Sequence, residues 1–315
     1  MILVDVSAEY ELQQRFSRAL HRVYGGCIDG YIGFMDLPLG IGAPDIVTIS
    51  RGGCDSLGIV TAFEVKTSLE WDHLGQVYRY SLYSPTYVVI PSSEWVREKF
   101  TLKETLRGLG IGVITINPSN NKLNMVFEAQ RKPLTEYVLY DAILWWIFES
   151  IARFSINDVR RVYDILVEFI KRGLRRVIKV SEIPAVTAGD RTVLRTIINI
   201  LTLRKKALPI AENPLTVELL DPDITSHTSE NFLRETLGSN PMDKVTFMAS
   251  KLAELSRIVE MLGLKPCYVS PSLLMLYTKG LPLHIVGQSY DDICQRIYKD
   301  IAEGYENLRS LIIKP

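Results

Sequence analysis

Apolar residues recur at helical spacing near the start of the chain: Leu12, Phe16, Ala19, Leu20 and Val23, with charges between them. The pattern predicts an amphipathic helix over 8–24, with Ser7 as its N-cap. A glycine-rich stretch follows, from Gly25-Gly26 to Gly42. Two apolar runs, 45–50 and 58–65, then read as strands. Arg51-Gly52-Gly53 supplies a turn signal between them, so an antiparallel hairpin is expected. Further on, 75–83 predicts a helix, 87–90 a strand ended by Pro91, 93–108 a helix and 112–116 a strand ended by Asn117-Pro118. This order gives an α/β fold, a mixed sheet flanked by helices.

The pattern changes at Gln130-Arg131-Lys132-Pro133. Beyond it helices dominate. The apolar stretch Ala142–Ala152 predicts a buried helix, too short for a bilayer, which takes about 20 apolar residues. Helices are expected over 156–172 and 191–206, then short strands at Leu208-Pro209-Ile210 and Thr216–Leu220 around the Glu212-Asn213-Pro214 turn. Helix, short segment, helix and hairpin resemble a winged helix. Two more helices are expected over 242–262 and 289–312. Three units follow: 1–130, a mainly helical DNA-binding unit over 131–222, and a helical C-terminal region over 223–315. The aromatic set Tyr137, Tyr140, Trp145, Trp146 and Phe148 reads as interface core rather than a base-stacking platform.

Composition adds constraint rather than identity. In 315 residues, 36 basic side chains balance 36 acidic ones, so a nucleic-acid partner would need its positive charge gathered locally. The clusters Lys171-Arg172, Arg175-Arg176 and Lys179, and Arg204-Lys205-Lys206 after Arg191 and Arg195, provide that and read either as a phosphate-contacting face or as an ordinary solvated one. Four cysteines, Cys27, Cys54, Cys267 and Cys294, lack zinc or cluster spacing. Their small number suits reduced thiols and a cytoplasmic setting. No secretory or membrane-spanning pattern is present, so no membrane is expected. Gly110-x-Gly112 is not followed by Gly-Lys-Ser/Thr, so ATP use is not expected.

The chemistry concentrates in Pro44-Asp45 and Glu64-Val65-Lys66. Side chains on a strand alternate faces, so Glu64 and Lys66 project together while Phe63 and Val65 enter the core. With Asp45 opening the neighbouring strand, two hard carboxylates stand beside a lysine. That set suits Mg²⁺, with Mn²⁺ able to substitute, and metal-assisted phosphodiester hydrolysis. Lys66 would orient the attacking water and oppose charge at the transition state. His73, in the loop region beyond, is a weaker candidate base.

These residues resemble the PD-(D/E)xK nuclease superfamily over about residues 8–120. The resemblance implies a restriction-endonuclease-like sheet, Asp45 and Glu64 as metal ligands, the Val65 carbonyl as a further ligand and Lys66 as the water-positioning residue. Ala8-Glu9-Tyr10-Glu11-Leu12 is similar to the first helix of archaeal Holliday junction resolvases, which implies Glu9 as a ligand; Glu11 competes for that role. Gln76-x-x-x-Tyr80 is similar to the helix motif of RecB-type nucleases, implying Gln76 near the catalytic centre and Tyr80 near DNA. The flanking cysteines of cluster-bearing members are missing, so no iron–sulfur cluster is expected. The expectation is a Mg²⁺-dependent DNA endonuclease that could act as a homodimer. The alternative is a catalytically inactive nuclease-like module for DNA binding or assembly.

Overall fold

A computed structural model describes residues 6–237 apart from 36, 38–41, 51–53, 55, 133–134, 137–138, 141–142, 144–146, 148–150, 152–153, 174–175 and 185–186. The helices expected over 242–262 and 289–312, together with Arg175, Trp145, Trp146 and Phe148, lie outside the described residues.

Helix α1 (Val6–Tyr24) opens the chain. Strands β1 (Gly30–Gly33), β2 (Ile46–Ile49) and β3 (Val60–Val65) form an antiparallel meander. Helix α2 (Trp71–Ser81) crosses to β4 (Thr86–Pro91), which pairs parallel to β3. Two short helices, α3 (Ser92–Arg97) and α4 (Phe100–Gly108), lead to β5 (Gly112–Ile116), parallel to β4. Strand β6 (Leu123–Phe127) returns antiparallel. The result is one mixed six-stranded sheet in sequence order, with helices packed against it.

The structure differs from the sequence reading at three places in this half. Strand β1 lies within the glycine-rich stretch, where no side-chain alternation announces it. A Cβ on Gly30 would strike the Leu203 carbonyl, and one on Gly33 would strike Pro209, so close approach by later elements requires both glycines. The expected helix over 93–108 breaks at Glu98, which is extended (ψ 144°) and whose carboxylate accepts from the Leu69 N–H at 3.4 Å. No proline or glycine marks that break. Helix α1 begins at Val6, ahead of the expected Ser7 cap.

After 130 come α5 (Ile156–Gly173), β7 (Val177–Lys179), α6 (Ala188–Leu203), β8 (Ala207–Ala211), β9 (Thr216–Leu219) and α7 (Ser229–Leu237). Strands β7, β9 and β8 make a small antiparallel sheet with β9 in the middle. Thr187 caps α6 by accepting from the Asp190 N–H, and Asp190 answers with a bond to the Thr187 N–H.

The expected boundary near 130 is a change of secondary structure, not a break in the core. One apolar cluster joins Ile32, Val47, Ile49, Val60 and Ala62 of the large sheet to Val159, Leu166, Val193 and Ile197 of α5 and α6. Between β6 and α5, the helical residues Leu139, Ile143, Ile147 and Ile151, four apart, feed the same cluster. A second cluster packs Leu12, Phe16 and Leu20 of α1 on Phe63, Val65, Tyr87 and Val89. A third sets Leu74, Val77, Leu102 and Leu106 against Val88, Ile90 and Val113.

The expectation of reduced cysteines is corrected for one pair. Cys27 and Cys54 form a disulfide, with Cα atoms 5.5 Å apart. It ties the end of α1 to the β2–β3 connection, a proximity that the spacing of cysteines along the chain does not reveal. No helix among the described residues is long and apolar enough to cross a membrane.

Candidate active site

The alternation of β3 puts Phe63 and Val65 into the core under α1 and turns Glu64 and Lys66 the other way. Ile46 pairs with Phe63, so Asp45, one residue before β2, falls beside the end of β3. Its carboxylate is held at both oxygens. The Val65 N–H donates to Oδ2 at 2.7 Å and the Gln13 side chain donates to Oδ1 at 3.1 Å.

Glu64 is 1 % exposed. Its Oε1 lies 2.9 Å from Lys66 Nζ, while Oε2 is buried and has no hydrogen-bond partner. Lys66 also donates to Glu9 Oε1 at 3.2 Å, so one ammonium joins two carboxylates. Glu9 is the more open of the pair, its side chain 28 % exposed, and it marks the side from which solvent reaches the cluster. Glu11 points elsewhere and pairs with Arg15 on the surface.

Helix α2 supplies the wall. Gln76 donates to the Tyr80 hydroxyl at 2.6 Å, and Tyr80 is 1 % exposed. The expectation that Tyr80 faces DNA is therefore corrected. Its ring joins the apolar cluster with Val47 and Val60, near enough for the Glu64 charge to act on its hydroxyl, and Gln76 binds that hydroxyl. His73 Nδ1 accepts from the Glu70 N–H at 3.2 Å within the cap of α2.

Electrostatics follow from burial. Burial pushes Asp45 well above the ordinary carboxylate range, and the nearby Glu64 charge adds to the rise. Burial also raises Glu64, against the opposing pull of Lys66. For Lys66 burial works against its charge, but Glu64 and Asp45 outweigh it and raise its pKa, so it stays an ammonium. Burial raises Tyr80, and Glu64 adds to that shift. Burial lowers His73, with the Lys66 charge next, keeping its ring neutral.

Among the described residues, no three His, Cys, Asp or Glu side chains are gathered as a ready-made metal cage. Magnesium does not need one. It is commonly held by one or two carboxylates and keeps waters or substrate oxygens for its other positions. Asp45 and Glu64 are hard oxygen donors, and the unpartnered Glu64 Oε2 is a buried acceptor that a cation would satisfy. The donor set therefore fits Mg²⁺ or Mn²⁺.

The basic face expected after α5 is only partly present. Arg204 reaches Glu235 at 3.2 Å and also donates to its carbonyl, and Lys206 lies 2.9 Å from the same carboxylate. Lys205 donates to the Gly25 carbonyl beyond the end of α1. Burial lowers the Arg204 pKa, against the opposing Glu235 charge. Arg204 and Lys205 are thus internal ties rather than phosphate contacts, because each basic group already has an oxygen partner. Arg195 donates to the Phe34 carbonyl at 2.8 Å. Lys171, Arg172, Arg176 and Arg191 remain at the surface.

Sequence reasoning missed Gln13. The available signal was its place four residues after Glu9, on the same face of α1. Comparison of the chain with known protein families, with curated proteins and with solved structures returns no match.

Proposed function

We propose that this chain is a Mg²⁺-dependent DNA endonuclease that hydrolyses phosphodiester bonds at Asp45, Glu64 and Lys66. The observation carrying this reading is the buried Glu64 carboxylate, one oxygen on Lys66 and the other unpartnered, beside Asp45. Most buried carboxylate oxygens are hydrogen-bonded, so an unpartnered one beside a second acid favours a cation as its missing partner.

Asp45 and Glu64 would hold the cation, with the Val65 carbonyl following from the family resemblance. When bound, the metal lowers the pKa of a water and neutralises charge on phosphate. The protein's own groups do the rest. Lys66 stays charged, orients the attacking water and opposes charge at the phosphate. Glu9 holds the Lys66 ammonium from the more exposed side, and Gln76 fixes the Tyr80 hydroxyl.

Topology supports the same reading. A helix, three antiparallel strands, a helix and a parallel strand, with the acidic residues at the start of β2 and the end of β3, is the order expected of a restriction-endonuclease-like core. In the second half, β7 and the β8–β9 hairpin form a three-stranded sheet, with α6 between β7 and β8 in the chain, an order that resembles a winged helix. Helix α6, however, is buried against β1 along much of its length. Its exposed residues, among them Arg191 and Thr192, lie in its first half, and the hairpin is fastened to α1 of the catalytic half.

The test is cleavage of linear, circular and branched DNA with Mg²⁺ or with EDTA. Cleavage that needs the metal and disappears in both Asp45→Ala and Glu64→Ala supports the proposal; full activity in EDTA or in those variants overturns it. The alternative, a nuclease-like module kept for DNA binding or assembly, draws on the Lys66 ammonium, which already joins Glu64 and Glu9 directly. It predicts DNA binding without cleavage in either Mg²⁺ or Mn²⁺.

A further inference from the structure

Gln13 is a polar side chain buried in the middle of α1, 5 % exposed. It makes hydrogen bonds in two directions. Its Oε1 accepts from the main-chain N–H of Glu212 at 3.2 Å, and its Nε2 donates to Asp45 Oδ1 at 3.1 Å. The amide cannot be turned around. A backbone N–H only donates, so the atom facing Glu212 must be the oxygen, and the NH₂ is left for Asp45.

The consequence for Asp45 is geometric. With Val65 on one oxygen and Gln13 on the other, the carboxylate plane is pinned on both sides. Such support orients a metal ligand and fixes which lone pairs remain for the cation. The far end of the bridge is equally firm. Glu212 starts the turn between β8 and β9, and that hairpin is fastened along α1 by two further contacts. Tyr10 Oη lies 3.0 Å from Thr216 Oγ1, and Arg18 donates to Glu218 at 2.7 Å.

We infer that Gln13 is a positioning residue that fixes Asp45 for metal binding by bridging it to the β8–β9 turn at Glu212. The inference rests on the nuclease reading. It gives the second half of the chain a role in catalysis: the hairpin sets Gln13, Gln13 sets Asp45, and the 131–222 region completes the site.

The experiment uses the full chain with Gln13→Met, which keeps length but has no amide, and Gln13→Asn, which keeps the amide but is one methylene too short to span both partners. Magnesium affinity is measured by calorimetry on the DNA-free protein, thermal midpoint by circular dichroism, and kcat and KM on plasmid DNA. Supporting-group changes of this kind cost about 10- to 100-fold in metal affinity. That loss is expected in both variants, with kcat lowered and KM for DNA unchanged. Wild-type magnesium affinity and kcat in a folded variant would overturn the inference while leaving the nuclease reading standing. A lower thermal midpoint with unchanged magnesium affinity would overturn it too, since a purely structural glutamine gives that pattern. If Gln13→Met does not fold, Gln13→Asn decides by the same criteria. A wild-type protein that neither binds magnesium nor cuts DNA would instead remove the nuclease reading, and this inference with it.

Discussion

Lys66 Nζ, one residue past the end of β3, lies 2.9 Å from Glu64 Oε1, and the carboxylate it meets is almost wholly buried. The pair is an electrostatic unit before it is a catalytic one. Removing one member of such a pair leaves the other charge in a medium that cannot solvate it.

Lys66→Met is therefore expected to abolish cleavage and to cost about 3 kcal/mol of stability, because Glu64 loses its counter-charge. The double variant Lys66→Met with Glu64→Gln should recover much of that stability and none of the activity. Magnesium affinity should not fall in Lys66→Met, since lysine is not a ligand and its departure frees Glu64. Urea unfolding and calorimetry together check this. Lost magnesium affinity would contradict the role given to Lys66.

The disulfide provides a second test. Closing the 27-residue separation between Cys27 and Cys54 restricts the unfolded chain and stabilises the fold by about 3 kcal/mol. Non-reducing peptide mapping should recover a linked Cys27–Cys54 peptide. Reduction, or Cys27→Ser with Cys54→Ser, should lower the thermal midpoint without removing cleavage, because neither cysteine contributes to the acidic cluster. An unchanged midpoint on full reduction would speak against the bond.

Much of the site was legible in the sequence because strand alternation is local. Glu64 and Lys66 had to share a face once 58–65 was a strand, and Asp45 had to adjoin them once the hairpin was antiparallel. Glu9 was legible through resemblance, and the structure brings it to Lys66. Gln13 was not, since its place four residues after Glu9 gives the face of α1 it shares but not its two partners, which lie 32 and 199 residues away. Tyr80 was misjudged because a helix pattern does not say which face meets a neighbouring strand. The Cys27–Cys54 bond and the shared core across residue 130 failed for the same reason: both depend on how distant elements meet.

Asp190 yields a prediction in pH. Its carboxylate receives Arg161 at 2.6 Å and the Thr187 N–H at 3.1 Å, and the Arg161 bond foremost lowers its pKa to about 2 from 3.8. A carboxylate depressed in the folded state contributes stability that is complete above its unfolded pKa and is lost as pH falls through the folded one. The gap in thermal midpoint between wild type and Asp190→Asn should thus be full at pH 7 and 5. It should shrink from about pH 4 downward, as the unfolded-state carboxyl protonates. A gap that holds constant to pH 3 would contradict the assignment.

The basic run after α6 separates fold from function most sharply. Lys205 has φ +57°, a left-handed backbone, and its ammonium reaches back to the Gly25 carbonyl, while Arg204 and Lys206 close on Glu235. A cation already satisfied by protein oxygens releases few counterions when DNA binds, and each lost phosphate contact flattens the log–log salt dependence by about 0.9 on duplex DNA. Arg204→Ala with Lys205→Ala should therefore leave the salt slope of DNA binding unchanged and lower the thermal midpoint. Lys171 and Arg176 are exposed. Lys171→Ala with Arg176→Ala should do the reverse if that face touches DNA, flattening the slope with little effect on stability. Both pairs are to be measured in the Glu64→Ala background, which prevents cleavage. A flattened slope in the Arg204 and Lys205 variant would mean that these ties open to receive phosphate. A flat response in both would place DNA contacts on the catalytic half, around the open side of Glu9 and Lys66.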